Sequence, residues 1–384
     1  MKTFFFLSFL SASLLGHGEA KTRSSDAVTE EEQAFWARAL QEVADSFLVP
    51  TPAPVTQTYA PTAQVDPPII SNATIFMDRV YFTVSTYSLD NSTAFSETSL
   101  FVPIWDGDID SAPNDIVCFI GEGFELDKNV TSFLWGGPDC QVANGCGVHV
   151  HEGFDCANDD TQAGHWYNKD VLTIDPWLTI GYLSTDEDGY AQFAGCIRTG
   201  FDLVSDPNLL LGRAFILHNA DGTRASCGVI EPTTSDFSPL TLIADTSPIP
   251  GTTENVNGYV EVLEELHANV FDAICYQGYA TGLEKNVESF LLGTGSTQCD
   301  VSNGCGTHIH AGTGCENVDI QLGHLYDPDQ IPVDPWLLES YYRTDDAGSA
   351  AFVGCIITGE EDFFQRAFIV HGTDGSRLSC GTLS

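Results

Sequence analysis

The stretch Gly145-Cys146-Gly147-Val148-His149-Val150-His151-Glu152-Gly153-Phe154-Asp155-Cys156 returns later in the chain as Gly304-Cys305-Gly306-Thr307-His308-Ile309-His310-Ala311-Gly312-Thr313-Gly314-Cys315. In each copy two histidines stand one residue apart in a context of Val, Ile and Gly, so an extended backbone projects both imidazoles from one face. That makes a metal-ligand pair. A lone His-x-His arises readily by chance; a second copy inside a matched stretch does not.

Working outward, the match widens into two repeats, from about Asn114 to Ile230 and from about Phe271 to Ser384, joined by residues 231–270, which read as a Pro, Ser and Thr-rich linker. Asp127-Lys128-Asn129-Val130 answers Glu284-Lys285-Asn286-Val287, Asp175-Pro176-Trp177 answers Asp334-Pro335-Trp336, and Arg213-Ala214-Phe215-Ile216 answers Arg366-Ala367-Phe368-Ile369. Within each repeat, short β-rich segments alternate with Gly, Asp, Asn and Pro turns. The pattern predicts an all-β chain of two tandem Greek-key β-barrels or sandwiches of about eight strands each. The Asp-Pro-Trp motif reads as a turn followed by a core aromatic.

Ahead of the repeats, residues 1–20 read as a secretory signal: Lys2, an apolar run from Phe4 to Leu15, then Gly18 and Ala20 at a small-residue cleavage site. Thr29-Glu30-Glu31-Glu32 has the form of a capping box, and Phe35, Ala39, Leu40, Val43 and Phe47 follow at helical spacing, predicting a short helix. Residues 50–68 have the composition of an extended Pro/Thr linker, so that 21–68 is helix and linker together. Residues 69–113 hold β-like runs such as Val80-Tyr81-Phe82-Thr83-Val84, whose role the sequence leaves open.

Fourteen Lys+Arg against 54 Asp+Glu give a formal net charge of −40, which argues against nucleic acid or anionic membrane surfaces as partners. No later segment is apolar enough to span a membrane. All twelve cysteines follow the signal, six in each half, and an even count in an exported chain reads as three disulfides per half. The sequons at Asn72, Asn91 and Asn129 fit a glycosylating secretory route.

Eight of the ten histidines form two matching sets, His149, His151, His165 and His218, and His308, His310, His324 and His371. Core packing does not place four histidines twice at equivalent positions. Four imidazoles on a β scaffold suit copper, whose two oxidation states they accommodate and whose affinity for nitrogen sites exceeds that of zinc. Zinc is chemically open on this ground alone.

The combined pattern resembles the copper/zinc superoxide dismutase family. It comprises Gly147-Val148-His149-Val150-His151-Glu152, then Gly164-His165, then Phe215-Ile216-Leu217-His218-Asn219-Ala220-Asp221-Gly222-Thr223-Arg224-Ala225-Ser226-Cys227-Gly228, with the same signature in the second repeat. Gly323-His324-Leu325-Tyr326-Asp327-Pro328, with a cysteine shortly after each His-x-His, is similar to the bacterial branch. The resemblance covers both repeats and implies that His149, His151 and His218, with His308, His310 and His371, bind one copper per repeat. His165 and His324 would stand where the family's histidine bridges copper to zinc. Arg224 and Arg377 would hold the substrate anion beside the metal. Cys156–Cys227 and Cys315–Cys380 would be the family disulfide. Cys140 with Cys146 and Cys299 with Cys305 are close enough in sequence to clip a hairpin, which would leave Cys118 with Cys196 and Cys275 with Cys355, but the sequence leaves the pairing of these eight open.

One departure matters: no histidine occurs between His165 and His218 or between His324 and His371, where the family binds zinc. Asp170, Asp175, Asp327 and Asp334 fall in that neighbourhood but read as solvated turn residues. The pattern therefore resembles the copper-only branch. The expectation is a secreted or cell-surface copper-dependent superoxide dismutase acting on superoxide, with zinc lost. A copper-buffering protein without turnover and a disulfide-rich wall or matrix element are the alternatives. Homo-oligomerisation and attachment to a wall or matrix are left open.

Overall fold

A computed structural model describes residues 76–89, 92–106, 113–133, 136–233, 240–264, 273–289, 296–339 and 341–384. The signal, the N-terminal helix, the Pro/Thr linker and the sequons at Asn72 and Asn91 lie outside the described residues.

The described chain is nearly all β and forms two nearly closed, barrel-like sheets. The first uses β1 (Phe76–Ser88), β2 (Phe95–Asp106), β3 (Ile116–Phe124), β4 (Val148–Val150), β5 (Ala191–Arg198), β6 (Ala214–His218) and β7 (Arg224–Val229), with a two-residue β8 (Glu231–Pro232) added along β1. The second uses β9 (Leu240–Pro248), β10 (Asn257–Glu264), β11 (Ala273–Thr281), β12 (Thr307–His310), β13 (Ala350–Ile357), β14 (Ala367–His371) and β15 (Arg377–Thr382). Their orders, β4-β6-β7-β1-β2-β3-β5 and β12-β14-β15-β9-β10-β11-β13, are the same path. The connections from β3 to β4, β4 to β5 and β5 to β6, and their counterparts in the second sheet, each cross between the two ends of the sheet, as Greek-key connections do.

This topology moves the repeat boundaries. Residues 69–113 supply β1 and β2, and their counterparts β9 and β10 lie within 231–270, the segment whose composition suggests a linker. The reason is visible in β9. Leu242, Ala244 and Thr246 are buried while Thr241 and Asp245 face out, so a true period-2 strand carries only small or polar residues on most of its positions. Thr241, Thr246, Ser247 and Pro248 are strand residues of β9, not a tether.

Each barrel closes on an aromatic core: Phe119, Phe193, Phe215, Trp177 and Tyr182 in the first, and Tyr276, Phe352, Phe368, Trp336 and Tyr342 in the second. The Asp-Pro-Trp aromatic is thus a core residue in both, and its indole Nε1 donates to the carbonyl of Trp166 or Leu325, 2.9 and 2.8 Å away.

A third cluster joins the barrels, with Phe101, Trp105 and Ile120 of one against Leu263, Val353 and Ile357 of the other. All eight residues of β13 are consequently buried, because both faces of that strand are covered. Arg79 adds an ion pair to Glu261 at 2.7 Å across the same boundary.

All twelve cysteines are bonded: Cys156–Cys227 and Cys315–Cys380 are the pairs the resemblance implies, and Cys118–Cys196, Cys140–Cys146, Cys275–Cys355 and Cys299–Cys305 resolve the pairings the sequence left open. Six disulfides with no free thiol fit an oxidising environment. Among the described residues no helix is long and apolar enough to cross a membrane.

Candidate metal centre

His149 lies on β4, which pairs with β6, and His218 ends β6, so two of the four rings come from one hydrogen-bonded ladder. His151 follows β4 and bridges to His165. A register shift between Leu217 and His218 turns the last ring of the set inward beside the start of β7. The second barrel repeats each step, with β12 paired to β14, a His310–His324 bridge and a shift at Val370/His371.

In the first barrel ring centroids lie 4.2 Å apart for His149–His165, 4.9 Å for His149–His218 and 5.2 Å for His151–His165. The corresponding distances in the second are 4.3, 4.9 and 4.9 Å. In each set one nitrogen from every ring comes within 4.8 Å of the others.

The hydrogen bonds determine which nitrogen each ring presents. His151 Nδ1 meets the Ala163 carbonyl at 2.9 Å and His218 Nδ1 meets the Gly222 carbonyl at 3.0 Å; a carbonyl only accepts, so both Nδ1 atoms carry the proton. His165 Nδ1 meets Asp175 Oδ2 at 2.7 Å. What is left without a hydrogen-bond partner is His151, His165 and His218 Nε2 and His149 Nδ1, all buried. Four bare nitrogens converging in a buried site are costly unless they bind a cation.

Burial, then the neighbouring imidazoles, holds His149 and His151 well below the ordinary histidine range. Burial pushes His218 and His371 down to about 3. The lone pairs are therefore available at neutral pH. An all-imidazole set fits copper or zinc by donor chemistry, and copper by affinity order.

Glycine is required two residues before the first histidine of each set. A Cβ on Gly147 would lie 2.2 Å from His149 Cε1, and one on Gly306 would lie 2.3 Å from His308 Cε1. The ring occupies the space a side chain would need.

Arg224 opens β7 beside this set. Its Nη1 donates to Gln162 Oε1 at 2.6 Å and to the Asp159 carbonyl at 3.1 Å, and its Nη2 to the Ala163 carbonyl at 2.7 Å. Arg377 is held alike, by Gln321 Oε1 at 2.9 Å and the Leu322 carbonyl at 2.6 Å. Gln162 also donates to the Cys156 carbonyl at 3.4 Å, tying the arginine to the loop closed by Cys156–Cys227.

Two pairs of residues belong to this arrangement without having been singled out for it. Gln162 and Gln321 each stand three residues before a bridging-position histidine, a recurrence readable in the two repeats. Asp175 and Asp334 are more than turn residues: each accepts from a histidine Nδ1 through Oδ2 at 2.7 Å and from a tryptophan backbone N–H through Oδ1 at 3.0 Å. Asp170, by contrast, is exposed, and the half-buried Asp327 caps its own turn.

No protein-family model matches the chain, and none of the curated proteins matches it either.

Proposed function

We propose that the chain is an exported copper-only superoxide dismutase built as a tandem duplication, with one copper in each barrel. The observation that carries the proposal is the doubled coincidence of four convergent imidazole nitrogens with a fixed guanidinium beside them. A buffering site needs the histidines but has no use for the arginine.

His149, His151, His165 and His218 would hold the ion in the first barrel and His308, His310, His324 and His371 in the second. Bound copper supplies one-electron exchange, so that two superoxide anions and two protons give one oxygen and one hydrogen peroxide. Arg224 and Arg377 supply the local positive charge that docks the anion, and their backbone and glutamine partners hold that charge in place. Asp175 and Asp334 fix the rings of His165 and His324 by a charge-assisted hydrogen bond at Nδ1. No histidine follows either ring before the last ligand of its set, and a carboxylate within the chain engages Nδ1 instead, which is why the copper-only reading is preferred. With Nδ1–H so held, Nε2 is the nitrogen that His165 or His324 would turn toward the metal.

Metal content and superoxide consumption, measured on one sample of mature protein, test the proposal beside an Arg224→Ala/Arg377→Ala variant. Two coppers per chain, with activity that falls at least about tenfold in the variant, support it. Copper without turnover would make the protein a copper-buffering one. Failure to bind copper would leave a disulfide-stapled structural element.

A further inference from the structure

The two centres have the same histidines, arginine, glutamine and aspartate, but not the same rim. The segment that grips the arginine is Asp159-Asp160-Thr161-Gln162-Ala163 in the first barrel and Val318-Asp319-Ile320-Gln321-Leu322 in the second. The helical turns are α1 (Asp159–Gln162) and α2 (Val318–Gln321), each capped by an asparagine side chain, Asn158 or Asn317. The backbone is shared and three side chains differ.

Asp159 places Oδ1 3.5 Å from Arg224 Nη1, with the aspartate side chain 85% exposed and the arginine 19%. At the corresponding position Val318 offers only its carbonyl, 3.5 Å from Arg377 Nη1. Among the described residues no carboxylate forms an ion pair with Arg377. Other charge differences near the two rims offset one another. Glu152 is paired with Lys169 at 3.5 Å, and both are replaced together, by Ala311 and Pro328. Asp155 is matched by Gly314, while Glu316 stands where the first loop has Ala157.

We infer that the two centres differ in their affinity for small anions: the centre beside Arg377 binds them more tightly than the centre beside Arg224, and the residue at 159 or 318 sets the difference. The inference rests on the proposed copper sites. A carboxylate beside the guanidinium repels an anion arriving there and competes with it for the same N–H groups. Val318 does neither, and with the exposed Ile320 and Leu322 it lines the second rim with apolar surface that leaves the arginine's charge uncompensated. An exposed charge pair of this kind changes affinity by about threefold at low ionic strength, and by less in salt.

Two site-isolated chains make the test: His308→Ala/His310→Ala keeps the Arg224 centre, and His149→Ala/His151→Ala keeps the Arg377 centre. Each is loaded with copper, its metal content measured, and azide titrated against the absorption that azide gives on binding Cu(II). The expected result is azide binding about threefold tighter beside Arg377. Asp159→Val should tighten binding at the Arg224 centre, and Val318→Asp should weaken it at the Arg377 centre. Equal constants in the two chains, or no response to either exchange, overturns the inference and leaves the copper sites standing. Should a site-isolated chain not fold, the same two exchanges in the intact chain must shift its azide titration in opposite directions, or the inference fails. A folded wild-type chain that takes up no copper defeats the proposed function, and this inference with it.

Discussion

The Oδ2 atoms of Asp175 and Asp334 receive the Nδ1 protons of His165 and His324, while their Oδ1 atoms hold the first N–H of the turn that follows. An Asp→Asn change at either position keeps an oxygen for the Trp177 or Trp336 N–H but removes the charge that fixes the imidazole. Copper affinity at the altered centre should fall about 10- to 100-fold, measured by competition with a chromophoric chelator, with the thermal midpoint of the metal-free chain little changed. The histidines themselves set an acid limit. Burial holds the folded His218 and His371 at about 3, whereas unfolded histidine titrates near its ordinary value of about 6.5. The unfolded chain therefore binds more protons across that interval. The stability of these neutral rings is complete above about pH 6.5 and is lost as pH falls toward 3, at up to about 1.4 kcal/mol per pH unit for each such group. Copper-free protein should show a thermal midpoint that drops steadily below pH 6.5; a flat profile down to pH 4 would contradict the buried neutral rings. The histidines and arginines were legible in the sequence because their chemistry dictates residue type at fixed spacing from Gly and Cys. The role of Asp175 was not, since its partner lies ten residues away and an aspartate before Pro-Trp already has a local reason to be there.

At the scale of the element, β9 and β10 mark where sequence pattern and tertiary role part company. The strands β3, β6, β11 and β14 are strongly apolar and almost wholly buried. β9 presents Ala244 and Thr246 inward, and its preference for the extended state is satisfied only once β10 and β15 pair with it. Thr246 is buried because its hydroxyl meets Ser379 at 3.1 Å, as Thr86 meets Ser226 at 2.8 Å in the first barrel. A buried hydroxyl satisfied by another strand looks, in one dimension, like a solvent-exposed one. The assignment of β10 to the second barrel is testable at Val260, which is fully buried. Val260→Ala should cost about 2 kcal/mol in denaturant unfolding. A linker residue would cost nothing.

Across the whole molecule, the two barrels meet through the backs of β3 and β5 and of β11 and β13, where Cys118, Cys196 and Cys355 bring their sulfurs within 4.8 Å of one another. The duplication thus builds a paired assembly within one chain, with an apolar seam where each barrel would otherwise expose a strand face. The charge of that assembly acts against its proposed substrate. At a formal −40 the molecule repels superoxide at long range, whereas the guanidiniums of Arg224 and Arg377 would attract it near the proposed metal sites. These two effects have different reach. Long-range repulsion is summed over many exposed carboxylates and is cut off within about 10 Å at 0.1 M salt, whereas an arginine close to the docked anion is screened much less. Raising ionic strength from about 0.01 to about 0.1 M, over which the screening length shrinks from about 30 to about 10 Å, should therefore increase the second-order rate of superoxide consumption. Pulse radiolysis across that range measures it directly. A rate that falls from the lowest salt onward would mean that the arginines, not the net charge, govern the approach of the anion.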